Sequence, residues 1–198
     1  MPQARLIIYG TGGHGREMAL AARLDGRLIL FMSDDHSDGE AIRLGDLQPD
    51  DEICVAVGSP ATRRSMAERL EGHGFVSLVA PTAVVDRSSK IAEGAQICDF
   101  CFIGPNTTIG RHFQANVRTH VHHDCVIGDF VTLSPGAVCL GNVDIGDNVF
   151  VGAGAVLRNG SPGKRLKIGA NAVIGMGAIV TKDVPAGAKV TGNPAREG

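Results

Sequence analysis

The sequence predicts a chain in two parts, an α/β unit over residues 1–78 and an all-β parallel helix over residues 79–198. Two observations carry the prediction: a glycine loop between a short strand and a helix near the start, and a six-residue period that begins at Val79 and holds for fourteen units. Composition agrees. Glycine supplies 27 of 198 residues, aromatics are 4% and tryptophan is absent, which suits a chain with many tight turns and few bulky fillers.

In the α/β unit, Arg5-Leu6-Ile7-Ile8-Tyr9 is a short apolar strand running into Gly10-Thr11-Gly12-Gly13-His14-Gly15, after which Arg16 to Leu24 reads as a helix. A second strand, Arg27 to Met32, ends in Ser33-Asp34-Asp35. Strand, G-x-G-x-x-G, helix and acidic residues about 20 positions later match the dinucleotide-binding fingerprint in its required context. The glycines let backbone approach a diphosphate, whose charge is met by amides at a helix N-terminus. His14, at the mouth of that loop, is placed to donate to phosphate or sugar oxygens. A third strand from Glu52 to Val57, a turn at Gly58-Ser59-Pro60, a helix from about Ala61 to Gly72 and a last strand from Phe75 to Val79 complete the unit. This is one mononucleotide-binding half, a half-Rossmann βαβαβ unit. A full NAD site, which spans two halves, is not expected.

From Val79 onward an aliphatic or similar residue recurs every sixth position: Val79, Val85, Ile91, Ile97, Ile103, Ile109, Ala115, Val121, Ile127, Leu133, Cys139, Ile145, Val151 and Leu157. Four places further on stands a small or β-branched residue, as at Ala83, Ser89, Cys101, Thr107, Thr119, Cys125 and Ala155; Phe113 alone is large. Gly104, Gly110, Gly128, Gly146 and Gly152 follow the aliphatic position, where a corner needs positive φ or close packing. Such a repeat signals a parallel β-helix with one short strand and one turn per hexad. The register breaks after Leu157, at Arg158 to Lys167, and resumes at Ile168, Ile174 and Val180, so residues 158–167 form a loop extruded from the coil.

The formal charge of -2 leaves no electrostatic footprint for nucleic acid or an anionic membrane. No apolar run approaches the roughly 20 residues that cross a bilayer. The five cysteines (Cys54, Cys98, Cys101, Cys125, Cys139) are odd in number and no cleavable signal pattern is present, which points to a reducing, cytoplasmic setting. Cys98 and Cys101 form a C-x-x-C without a second pair, and the hexad register accounts for Cys101 as an interior residue, so no metal is expected.

With the repeat in place, the chain resembles the left-handed β-helical hexapeptide acyltransferases, in which three hexads close a triangular coil of 18 residues and three chains form a trimer. The closing segment, Ile179-Val180-Thr181-Lys182-Asp183-Val184-Pro185-Ala186-Gly187-Ala188-Lys189-Val190-Thr191-Gly192-Asn193-Pro194-Ala195-Arg196, is similar to that family's C-terminal signature. Together with Gly12-Gly13-His14-Gly15 and His123-Asp124-Cys125-Val126-Ile127-Gly128-Asp129-Phe130, it resembles the nucleotide-sugar N-acetyltransferases of 4-amino-4,6-dideoxy sugars and the related sialic acid O-acetyltransferases. The resemblance implies an acetyl-CoA-dependent enzyme, a homotrimer with sites between subunits, and a nucleotide-linked amino sugar as acceptor.

Acetyl transfer from a thioester needs a base for the attacking group's proton and a donor for the tetrahedral oxyanion. His123 matches the family's base, and Asp124 stands where an acidic neighbour would orient the ring. Gly141 lies 18 residues on, one coil above His123 at roughly 4.8 Å; its amide is the candidate oxyanion donor, and its missing side chain would leave room for the thioester. The resemblance further places acetyl-CoA contacts at Thr132, Ala153 and Gly175. Lys182, Lys164 and Arg165 are candidates for the coenzyme's phosphates. It places acceptor contacts at Gly12, Gly13, His14, Asp34, Asp35 and Gly58. Two other readings compete: an O-acetyltransferase of a sialic-acid-like sugar, and, from His120, His122 and His123 near one rung, a zinc-dependent hydratase of the γ-carbonic anhydrase kind or a noncatalytic β-helix scaffold.

Overall fold

The computed structural model describes residues 5–22, 26–70 and 72–198. The apolar run Arg5–Tyr9 forms β1, buried from Leu6 onward. It is flanked by β2 (Leu28–Met32) and β3 (Glu52–Val55), and β3 by β4 (Gly74–Phe75), in a parallel sheet of order β2-β1-β3-β4. Two helices cross between them. The first, α1 (Gly13–Ala22), begins inside the glycine loop, three residues before the expected start; Arg23 and Leu24 at its expected end lie outside the described residues. The second, α2 (Pro60–Glu68), is started by Pro60 in the first turn and by Ser59, whose Oγ accepts from Thr62 N–H at 3.3 Å. It ends at Glu68, short of the expected Gly72, which adopts φ 97°.

The expected strand from Phe75 to Val79 divides in two. Gly74–Phe75 closes the α/β sheet, whereas Leu78–Val79 pairs with Gln96–Ile97 and opens the coil. The coil is a left-handed parallel β-helix of three faces. One, of eight strands, is covered by the α/β unit around Leu78, Gln96, Gln114 and Thr132. A second, the apolar face, has six strands and turns Val84, Phe102, His120, Val138, Val156 and Ile179 outward in one row. The third, of five strands, carries the extruded loop. Partners such as His120↔Val138 and Thr108↔Val126 stand 18 residues apart. After the loop the spacing widens to 23, as in Asp144↔Lys167, so the insertion is absorbed without breaking the ladder.

The aliphatic hexad residues from Ile97 to Leu157 are all buried, each contributing about 1.5–3 kcal/mol for a Val, Leu or Ile removed from water. Val79 is 45% exposed because the first coil has a neighbour on one side only. The glycines after the aliphatic position serve close packing. A Cβ on Gly110 or Gly128 would lie 2.4 Å from an aspartate of the next coil. Positive φ falls two residues later, at Phe100, Asn106, His112, Arg118, Asp124, Phe130, Asn142 and Asn148. The coil's corners are therefore left-handed single residues, where Asn and Asp are tolerated best among non-glycines.

Candidate active site

His123 leaves the apolar face at the corner that leads to the loop-bearing face. Asp124 is the left-handed residue of that corner, with φ 57°, and this conformation turns its carboxylate back onto the preceding ring: His123 Nδ1 lies 2.8 Å from Asp124 Oδ2. The hydrogen bond from His123 holds the Asp124 carboxyl below the usual carboxylate range, with Asn106 Nδ2 adding a second donor at 3.3 Å. An ionised acceptor at Nδ1 assigns the proton to that nitrogen and leaves the Nε2 lone pair facing outward. The ring is 54% exposed, so Nε2 is open to a reacting group.

Gly141 lies directly over this imidazole. A Cβ there would fall 2.5 Å from both Cε1 and Nε2 of His123. The expected vacancy for a thioester is thus filled by the base itself: glycine is required at 141 to seat the ring. The Gly141 carbonyl accepts from Gly160 N–H at 2.9 Å, while its own N–H has no acceptor among the described residues. Arg165, expected at a coenzyme phosphate, is spent internally. Its Nε donates to Asp144 Oδ1 at 2.7 Å and its Nη2 to the Asp124 carbonyl at 2.7 Å. The extruded loop therefore braces both Gly141 and Asp124.

On the acceptor side, the glycine loop separates by role. Gly10 (φ 125°) and Gly15 are needed for packing, since a Cβ would meet Ala56 O at 2.8 Å and Gly10 O at 1.9 Å respectively. Gly12 and Gly13 have nothing within 4 Å of such a Cβ, leaving an open surface at the start of α1. His14 is not at the mouth of the loop. Its Nε2 donates to Gln96 Oε1 at 2.7 Å, and Gln96 in turn donates to Val55 O. Burial lowers its pKa, and Glu17 Oε2 stands 3.5 Å from Nδ1. Asp34 is likewise engaged, by both terminal nitrogens of Arg69 at 2.8 Å and by Tyr9 Oη at 2.5 Å; the Arg69 and Tyr9 hydrogen bonds hold its pKa down at about 2. Asp35 caps the turn to Ser37. A hollow of about 360 Å³ beside the loop is lined by Thr11, Arg16, Ile29, Phe31, Asp38 and Glu40.

Gly58 and Thr132 are joined to each other and to Arg63, a residue the sequence did not single out. Arg63 has 0% exposure and, among the described residues, no carboxylate partner. It donates to the carbonyls of Val57 (2.7 Å), His112 (3.0 Å) and Phe130 (3.0 Å), to Gln114 Oε1 (2.9 Å) and to Thr132 Oγ1 (2.9 Å), and Thr132 Oγ1 lies 2.9 Å from Gly58 O. Desolvation lowers its pKa to about 9, still a cation at neutral pH. This guanidinium fastens the loop after β3 to the covered face of the coil. Thr132 is buried in that joint, its hydroxyl engaged by Arg63 and Gly58.

Comparison with known proteins places the two parts together. Residues 5–70 match the PglD N-terminal domain and residues 124–159 the bacterial transferase hexapeptide (six repeats) family. WeeI from Acinetobacter baumannii AYE has a similar structure, with a TM-score of 0.90, 35% identity, and 98% of this chain and 99% of that one covered. The chain belongs to the hexapeptide-repeat sugar acetyltransferases. A curated relative, GDP-perosamine N-acetyltransferase of Escherichia coli O157:H7, is 49% identical over 145 residues, 72% of this chain and 66% of that enzyme. PerB from Caulobacter crescentus, solved in complex with CoA and GDP-perosamine, superposes with a TM-score of 0.87 at 26% identity, over 98% of this chain and 97% of that one.

In this acetyltransferase the residues named for the coenzyme do not all meet the base. Ala153 and Gly175 lie between the covered face and the apolar face, whereas His123 and Gly141 lie at the far side of the apolar face. Lys182 stands on the same edge as His123, beyond Gly141, and is exposed. Lys164 is exposed on the extruded loop, its backbone paired with Ser161. His120 and His122 have ring centroids 6.3 Å apart and both stand against Phe102, and among the described residues no group of three His, Cys, Asp or Glu could hold an ion. No helix among the described residues is long and apolar enough to cross a membrane.

Proposed function

We propose that this chain transfers an acetyl group from acetyl-CoA to the 4-amino group of a nucleotide-linked 4-amino-4,6-dideoxy sugar. The observation that carries the reading is the His123–Asp124 pair seated under Gly141, with Nε2 open and an unengaged amide beside it. The neutral amine attacks the thioester carbonyl; as the C–N bond forms, its proton passes to His123 Nε2. The oxyanion is met by the Gly141 N–H, and Asp124 stabilises the imidazolium. Collapse breaks the C–S bond, and His123 returns the proton to the CoA thiolate. Support for the acceptor class comes from the E. coli relative's name and from the CoA and GDP-perosamine held by PerB. GDP-linked perosamine is therefore the first acceptor to test.

The open surface beside Gly12 and Gly13, the turn at Asp35 and the hollow at Arg16 are where we place the nucleotide. The active unit is a homotrimer. Ala153 and Gly175 are separated from His123 by the width of the apolar face, and docking a second copy on that face brings one chain's coenzyme edge to the other's base. The outward row Val84, Phe102, Val138, Val156 and Ile179 supplies the apolar surface for it. Five unpaired thiols suit a reducing cytoplasm.

The decisive experiment incubates the protein with acetyl-CoA and UDP-, GDP- and dTDP-linked 4-amino sugars and follows thiol release. Release with a free sialic acid and with no amino sugar would replace this reading by O-acetylation. His123→Ala should retain the trimer and lose most of the rate. Stoichiometric zinc after dialysis would favour the hydratase.

A further inference from the structure

The amide assigned to the oxyanion is set from inside the coil. Cys125 is fully buried, and its Sγ lies 3.2 Å from the carbonyl oxygen of Leu140, the residue before Gly141. That carbonyl therefore points into the coil. In a trans peptide the N–H opposes the C=O, so the Gly141 N–H is turned outward, to the side where the His123 ring lies. Cys139 Sγ, 3.9 Å from Cys125 Sγ, reaches the same carbonyl at a longer 3.7 Å, and Cys125 Sγ is also 3.5 Å from His123 O, so the short contact from Cys125 is the main hold on the Leu140 carbonyl.

One coil below, the same device acts on the base's own rung. Thr107, 1% exposed, donates through Oγ1 to the carbonyl of His122 at 2.9 Å, turning the His122–His123 peptide the same way. At several other corners a backbone N–H caps the inward carbonyl, and interior side chains donate at some of these too, Cys101 Sγ to Asn116 O at 3.1 Å and Thr119 Oγ1 to Ser134 O at 3.4 Å. Ala83 N–H reaches Ala80 O at 2.9 Å, Ala155 N–H reaches Gly152 O at 3.2 Å and Ala178 N–H reaches Gly175 O at 3.2 Å. At His122 and Leu140 no backbone donor fills that place among the described residues, and an interior side chain does. A buried carbonyl left without a donor costs about 1–3 kcal/mol, so each peptide is held in its orientation by its side-chain partner.

We infer that Cys125 and Thr107 are positioning residues for acetyl transfer, interior donors that fix the outward direction of the Gly141 and His123 amides. The inference rests on the reading of Gly141 as the oxyanion donor. Its own prediction is a rate effect from a residue that never touches substrate. Ser89 supplies an internal comparison: its Oγ donates to Gly104 O at 2.7 Å in the same manner, but the next residue is Pro105, which has no N–H to aim.

The test compares Cys125→Ala, Cys125→Ser and Ser89→Ala in steady-state thiol release, with thermal melting as the stability readout. Cys125→Ala is expected to lower kcat by about 10–100-fold, below the full loss of an oxyanion donor, with KM for acetyl-CoA within about threefold of wild type. Cys125→Ser keeps a donor and should restore most of kcat whatever its melting temperature. Ser89→Ala should lower the melting temperature and leave kcat intact. Wild-type kcat in Cys125→Ala, or a Cys125→Ser as slow as Cys125→Ala, would overturn the inference. If the wild-type protein acetylates only a hydroxyl acceptor, the amine reading fails by itself, and the same comparison is decided on that acceptor.

Discussion

Gly141→Ala isolates the seat of the base from every other feature of the site. The added Cβ would lie 2.5 Å from Cε1 and Nε2 of His123, where ordinary contact begins near 3.4 Å, so the ring must retreat by about 1 Å. It can do so cheaply, because the ring is 54% exposed and nothing in the core moves. The Gly141 φ is not in the left-handed region, and alanine keeps the N–H. Stability should therefore change by less than about 1 kcal/mol. The Nδ1–Oδ2 bond of 2.8 Å is lost with the seat. Misplacement of a catalytic group by about 1 Å costs on the order of 10²-fold, and that loss is expected in kcat for thiol release, at unchanged melting temperature. A variant that melts normally and turns over within threefold of wild type would refute the seating of His123 by Gly141.

Other perturbations follow from the same geometry. Arg165→Ala removes the donor to the Asp124 carbonyl and should slow kcat about 3–10-fold; the pair with Asp144, about one-third exposed, contributes about 1 kcal/mol or less, so melting should change little. Arg63→Met should destabilise by about 2–4 kcal/mol in a denaturant titration, because the buried acceptors it orphans outweigh the relief of removing an unpaired charge; an unchanged midpoint would contradict this. Fully buried His112 lies between Phe75 and Phe130, and neither ring nitrogen has a partner among the described residues. Desolvation, with Arg111 and Arg63 nearby, lowers its pKa from 6.5 to about 4. The unfolded chain then binds the extra proton, so stability is full above pH 6.5 and falls toward pH 4, by at most about 3 kcal/mol at about 1.36 kcal/mol per pH unit. His112→Phe, at a corner where Phe130 already adopts φ 57°, should flatten that slope.

The sequence by itself determined the β-helix, because a period of six with a buried aliphatic position leaves each strand one inward residue and makes the register legible without any long-range information. It also determined the α/β unit, through an apolar strand meeting a glycine loop, and the vertical partner of His123, because 18 residues per coil is arithmetic. Tertiary structure decided the rest. Nothing in the sequence singles out Arg63, and only docking of α2 against the coil buries it. His14, Asp34 and Thr132 carry the right chemistry for ligands, yet His14 and Thr132 face the seam between the two units and Asp34 is spent on Arg69 and Tyr9. Gly141 matches its expected position, but what fills its missing side chain is an imidazole and not a thioester, a fact about two side chains on adjacent coils. A one-dimensional pattern specifies which way each residue points in a regular element. Which polar group claims which partner is settled by distances between elements far apart in the chain, and those exist only once the units have packed.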